Sequence, residues 1–196
     1  MNKIYIQPVV EDILHEKVLQ KLFQNLRKDI ELYPALGKKG NDYIYQKLAQ
    51  FNGAAIPDCR YFLLLDTDKP ICVVDFLKSI ITFSANPYFY LRLCVVEIET
   101  WLLADRENFA KFLGIRESEI PFNLETEISK PKEFVIALAR KSKKKGIKSI
   151  VPEGTAKQGK GYNLKMVEFI ENDWDFQNAS LLSRSLQKTI QKIQNL

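Results

Sequence analysis

Histidine occurs once in these 196 residues, as His15, and cysteine three times, as Cys59, Cys72 and Cys94, with no CxxC spacing. A lone histidine among charged neighbours leaves zinc chemistry and a histidine-based triad without their usual parts. His15 therefore reads as a surface residue of the first helix, and the cysteines as buried thiols of a reducing compartment. No apolar run approaches the ~20 residues that span a bilayer. The opening "MNKIYIQPVVED" has no apolar h-region of a secretory signal. A cytoplasmic protein with no membrane contact is expected. Internal repeats and low-complexity tracts are also absent.

What is present is ordinary globular composition, 46% hydrophobic and 27% charged, enough for one domain with its own core. Charge is unevenly placed. Between Lys130 and Lys165 eleven lysines and arginines face only Glu133 and Glu153, a balance of +9 in a chain of net +5, so the remainder carries −4. Such a basic segment suits a partner with a phosphate backbone, DNA or RNA.

Periodicity divides the chain in two. Up to about residue 115 it alternates strand and helix. Strands are expected at Ile4 to Val10, in "IELYPAL", at Tyr61 to Leu65 and in "YFYLRLCVV". Between them lie helical stripes at "ILHEKVLQKLFQNL", at "DYIYQKLAQF" and from Cys72 to Phe83. A helix from Glu97 follows the last strand, broken near Asp105 and stopped by Gly114. This rhythm predicts an α/β fold, a mostly parallel sheet of about four strands flanked by helices. Residues 116–196 read as a helical, basic extension packed on a 1–115 core, with one short strand at Ile147 to Val151. Trp101 reads as a core anchor.

Acids close the strands. Glu11 follows the first, Asp66 and Asp68 end the apolar run "RYFLLLDTD", and Glu97 and Glu99 follow "LCVV". In a wound parallel sheet ligands collect at the carboxyl ends of the strands. Carboxylates gathered there fit a magnesium or manganese ion, which takes a few hard oxygens and leaves positions for water and phosphate. The expected catalytic acids are Glu11, Asp66, Asp68, Glu97 and Glu99, with Glu11, Asp66, Asp68 and Glu99 on the metal. Each has a plainer role as a helix cap, a turn residue or a first-turn acid. The basic segment offers Lys141, Lys143, Lys144 and Lys145, with Lys157 and Lys160 in the glycine-bearing loop, as phosphate contacts, and Tyr162 as a base-stacking ring.

A Glu closing the first strand, followed by an apolar strand ending in Asp-x-Asp, resembles the TOPRIM domain of topoisomerases, primases and OLD-type nucleases. The phrase "VEIETWLLAD" and the later Gly-Tyr-Asn of "GKGYNLKMVEF" are similar to a group of small bacterial TOPRIM-like proteins, and the likeness runs from Val9 to about Leu186. It implies magnesium-dependent phosphodiester chemistry, with Glu11 as general acid/base or ligand and Asp66 and Asp68 holding metal. It also implies a setting in bacterial phage defence, with a partner ATPase. Where such proteins usually place glycine after the glutamate, this chain has Asp12. Two other readings stand beside the nuclease: a nucleic-acid-binding module of the same fold without catalysis, and a haloacid-dehalogenase-like phosphatase with Asp66 as nucleophile.

Overall fold

A computed structural model describes residues 4–196. Five parallel strands form one sheet: β1 (Ile4–Val10), β2 (Ile30–Leu32), β3 (Leu36–Gly37), β4 (Cys59–Asp66) and β5 (Phe89–Cys94). Their order is β2-β1-β4-β5, with β3 continuing beside β1. The mostly parallel α/β architecture expected from the alternation is the one observed.

"IELYPAL" is two strands rather than one. Ile4–Ile6 of β1 pairs with β2, and Val9–Val10 pairs with β3. The break falls at Pro34 on one side and opposite Gln7-Pro8 on the other. Neither proline has an N–H for a ladder, so the gap sits where donors are missing. Gln7 bridges it, its side-chain amide donating to Pro34 O at 2.9 Å. Gly37 is also required here. Its φ is +94°, and a Cβ would lie 2.3 Å from Val10 O.

The structure forms two units, each described alone. The first comprises the described residues through Thr67, then Ile71–Cys94 and Thr189–Leu196. It holds the sheet, α1 (Ile13–Leu26), α2 (Asn41–Tyr45), α3 (Leu48–Ala54) and α4 (Val73–Ile80). β4 is buried on both faces, as a central parallel strand should be. Leu63 and Leu65 face Ile44, Leu48 and Phe51, while Phe62 meets Phe23 of α1 edge-on with ring centroids 5.4 Å apart.

The second unit comprises Asp68–Pro70 and Val95–Lys188. Its helices are α5 (Ile98–Leu103), α6 (Arg106–Leu113), α7 (Leu124–Glu127), α8 (Pro131–Lys141), α9 (Tyr162–Asn172) and α10 (Phe176–Leu182). The last helix, α11 (Arg184–Gln194), begins in this unit. The units therefore divide after Cys94 rather than at the expected 115/116, because α5 and α6 pack with the later helices and the final residues belong to the sheet unit. Trp101 is fully buried, its indole N–H donating to Ser185 Oγ at 2.7 Å. Asp105 stands at the N-cap of α6, where a helix-ending residue was expected, and its Oδ2 accepts from Asp175 N at 2.7 Å.

The expected strand at Ile147 to Val151 is a 3₁₀ helix, Lys145–Ile150. Its backbone closes on itself, Ile147 N to Lys144 O and Val151 N to Lys148 O, and Gly159 N takes Ile150 O. Those bonds leave the segment no ladder to join. No helix among the described residues is long and apolar enough to cross a membrane.

Candidate functional site

The carboxyl edge of the sheet carries acids, as the strand ends predict. Val10 pairs with Leu64 and Asp66 with Cys94, so the ends of β1, β4 and β5 share one rim. Glu11 follows β1 directly, and Asp66 is the last residue of β4. Asp66 is buried, 6% exposed.

Against Asp66 stands the residue that the sequence placed at the surface. His15 is completely buried. The reason is its position in the first turn of α1. Asp12 caps that helix, its Oδ1 accepting from Leu14 N at 2.8 Å and His15 N at 3.2 Å. The cap aims the imidazole at the strand ends. Nδ1 lies 2.8 Å from Asp12 Oδ1, and Nε2 lies 2.9 Å from Asp66 Oδ1. Burial alone would lower the imidazole pKa, but the Asp66 charge and the bonds to Asp12 and Asp66 hold it well above its ordinary 6.5. Both ring nitrogens thus lie against carboxylates. Cys94 completes the group: its thiol is buried, and burial raises its pKa. Donor atoms of His15, Asp66 and Cys94 all lie within 4.8 Å of one another.

The other expected acids lie in the second unit. Asp68 is exposed, with φ of +57° and its N–H donating to Val96 O at 3.0 Å. Glu97 Oε2 accepts from Lys132 N at 2.8 Å, satisfying one of the orphan donors at the start of α8. Glu99 turns inward. It is 1% exposed, accepts from Tyr162 Oη at 2.9 Å, and has Lys132 Nζ at 3.6 Å. Burial raises its pKa, the Lys132 charge opposing and the Glu97 charge adding. Glu99 is thus an internally paired acid of the helical unit, not an open metal ligand.

The basic residues also sort differently from the expectation. Tyr162 is fully buried against Glu99, so its ring is closed to a base. Lys141 pairs with Glu119. Lys144 Nζ donates to Lys111 O at 2.6 Å and Phe112 O at 3.2 Å, a lysine cap on the end of α6. Lys143, Lys145 and Lys160 are exposed. Of the expected set only Lys157 lines the cleft of about 710 Å³ in this unit. Lys130, Lys132 and Arg140 join it there, beside Asp68, Glu97 and Glu133; Lys130 pairs with Glu133 at 2.9 Å and Lys132 lies 3.6 Å from Glu99. Four cations on one concave surface can hold phosphate, and the acids at its wall keep the charge from being uniformly positive.

The sequence reading placed His15 at the surface, took Cys94 only as a buried thiol, and counted Lys130, Lys132 and Arg140 in the basic segment without singling them out as phosphate contacts. The one local signal for the first was Asp12-x-x-His15, an N-cap followed three residues later by a polar side chain. No protein-family model, curated protein or solved structure matches the chain.

Proposed function

We propose that this chain is a divalent-metal-dependent nuclease, or a related phosphodiester-transfer enzyme, acting on DNA or RNA. The observation that carries the reading is the pair of acids at neighbouring strand ends, Glu11 after β1 and Asp66 closing β4, on the ligand-binding edge of a parallel sheet. Their oxygens are hard donors of the kind magnesium or manganese takes. Such an ion supplies charge stabilisation at a phosphoryl oxygen and a water of lowered pKa.

The residues do the rest. Glu11 takes the proton of an attacking water. His15 Nε2, 2.9 Å from Oδ1, fixes the Asp66 carboxylate in place. Within the second unit, Arg140 and Lys157 of the cleft offer cations for a phosphate backbone. The phosphatase reading asks Asp66 to attack phosphorus, and its burial with Oδ1 against His15 disfavours that.

The test is incubation of the purified chain with end-labelled single- and double-stranded DNA and RNA, in magnesium, in manganese and in EDTA. Cleavage in either metal that disappears in Asp66→Asn and in Glu11→Gln supports the reading. Cleavage undiminished in both variants places the chemistry elsewhere. Binding in EDTA with no cleavage in either metal leaves the non-catalytic nucleic-acid-binding module.

A further inference from the structure

We propose that His15, Asp66 and Cys94 form a preorganised site for one zinc-class divalent ion, Zn²⁺ or Co²⁺, on the inner side of the strand-end rim. The donor set carries the assignment. An imidazole nitrogen, a carboxylate oxygen and a thiol converge within 4.8 Å of one another, all three residues buried. A thiolate beside an imidazole is a poor environment for magnesium and a good one for zinc.

The support behind the ligands has the same character. A metal-bound imidazole typically gives its second N–H to a carboxylate, which fixes the tautomer and the ring plane. Asp12 already does this, with Oδ1 2.8 Å from Nδ1, and its orientation is set independently by its cap on α1. Nε2 is therefore the nitrogen turned toward Asp66 and Cys94. Its 2.9 Å separation from Asp66 Oδ1 has to open only to about 3.3 Å, the edge of a tetrahedron with arms of ~2.0 Å.

The ion would be held by the imidazole, the carboxylate and the thiolate, the displaced protons passing to solvent. Three protein donors leave a fourth position for water or a further ligand.

The experiment uses the full chain carrying Cys59→Ser and Cys72→Ser, stripped with EDTA and titrated with Co²⁺, without nucleic acid. The expected result is one equivalent bound, with a near-ultraviolet thiolate-to-cobalt band and tetrahedral visible bands. Zn²⁺ displaces the ion, and binding releases protons. Cys94→Ser loses the near-ultraviolet band. Asp12→Asn, which preserves the helix cap, weakens binding ~10–100-fold. Absence of the band in a chain folded by circular dichroism overturns the site, and so does a band that survives Cys94→Ser. These readouts involve no cleavage, so their failure leaves the nuclease reading standing, and an inactive protein leaves the metal site standing.

Discussion

His15 Nε2 and Asp66 Oδ1 meet at 2.9 Å across a sequence separation of 51 residues, fastening the first turn of α1 to the end of β4. This bond reverses an expectation. Acids crowded at a rim suggest that removing one relieves repulsion, whereas Asp66 is already paired with a buried imidazole whose pKa its charge and the Asp12 bond hold up. Breaking a buried pair strands the other charge and costs about 3–5 kcal/mol. Asp66→Asn should lower the urea-unfolding free energy by roughly the smaller of these figures. Activity losses in that variant must therefore be read at a temperature where circular dichroism shows it folded. Unchanged stability would mean that His15 is neutral and the bond is not an ion pair.

Gly37→Ala is expected to cost about 1–3 kcal/mol. Two penalties coincide, a positive φ of +94° and a Cβ 2.3 Å from Val10 O, one residue before Glu11. Thermal denaturation followed by circular dichroism measures the loss. A melting temperature equal to that of the parent would show that β3 can leave β1 freely.

Glu99 gives a pH signature. Its folded pKa lies above its ordinary 4.5 because burial disfavours the carboxylate, with Lys132 and Glu97 as the charges facing it and Tyr162 as its hydrogen-bond donor. The folded state therefore binds more protons than the unfolded state as pH rises from 4.5, and the stability from this group falls through that window. The slope is at most ~1.4 kcal/mol per pH unit. Glu99→Gln, fixed in the neutral form, should gain on the wild type with rising pH and converge with it near pH 4.5. Paired unfolding curves from pH 4.5 to pH 8 decide it, and parallel curves would show an unshifted group.

The cleft and the lysine run separate in a salt titration. Each phosphate contact to a single strand contributes about 0.7 to the slope of log affinity against log salt. Arg140→Ala with Lys157→Ala should reduce that slope by ~1.4, because both residues line the cleft. Lys141→Ala with Lys144→Ala should leave it nearly unaltered. Lys141 is committed to Glu119 and Lys144 to the end of α6. Fluorescence anisotropy with labelled single-stranded DNA in EDTA reads both, and the opposite ranking would return phosphate binding to the lysine run.

The sheet was legible because strand burial writes itself locally: "YFLLLD" is buried on both faces, and nothing but a central strand wants so many consecutive apolar residues. The acids at strand ends were legible for the same reason, since strand direction puts Glu11 and Asp66 on one rim. His15 was not. Its neighbours Glu16 and Lys17 are charged, and its burial comes from strands that arrive decades of residues later. The lysines show a related limit. A long flexible side chain has no local pattern that says whether it ends in solvent, as Lys143 does, or on a helix terminus, as Lys144 does. Tyr162 looked available beside glycines, and only Glu99, 63 residues earlier, explains why it is enclosed.

The last stretch of chain, Thr189–Leu196, belongs with the sheet made by the first half. Ile193 is wholly buried, and its carbonyl accepts from Arg27 Nη1 at 3.5 Å. A truncation that stops near residue 115 thus discards part of the very body it was meant to isolate. Dissection of this protein calls for grafting: a short artificial bridge from Cys94 to Thr189, and another closing the excursion at Asp68–Pro70, would give the sheet its full complement of chain.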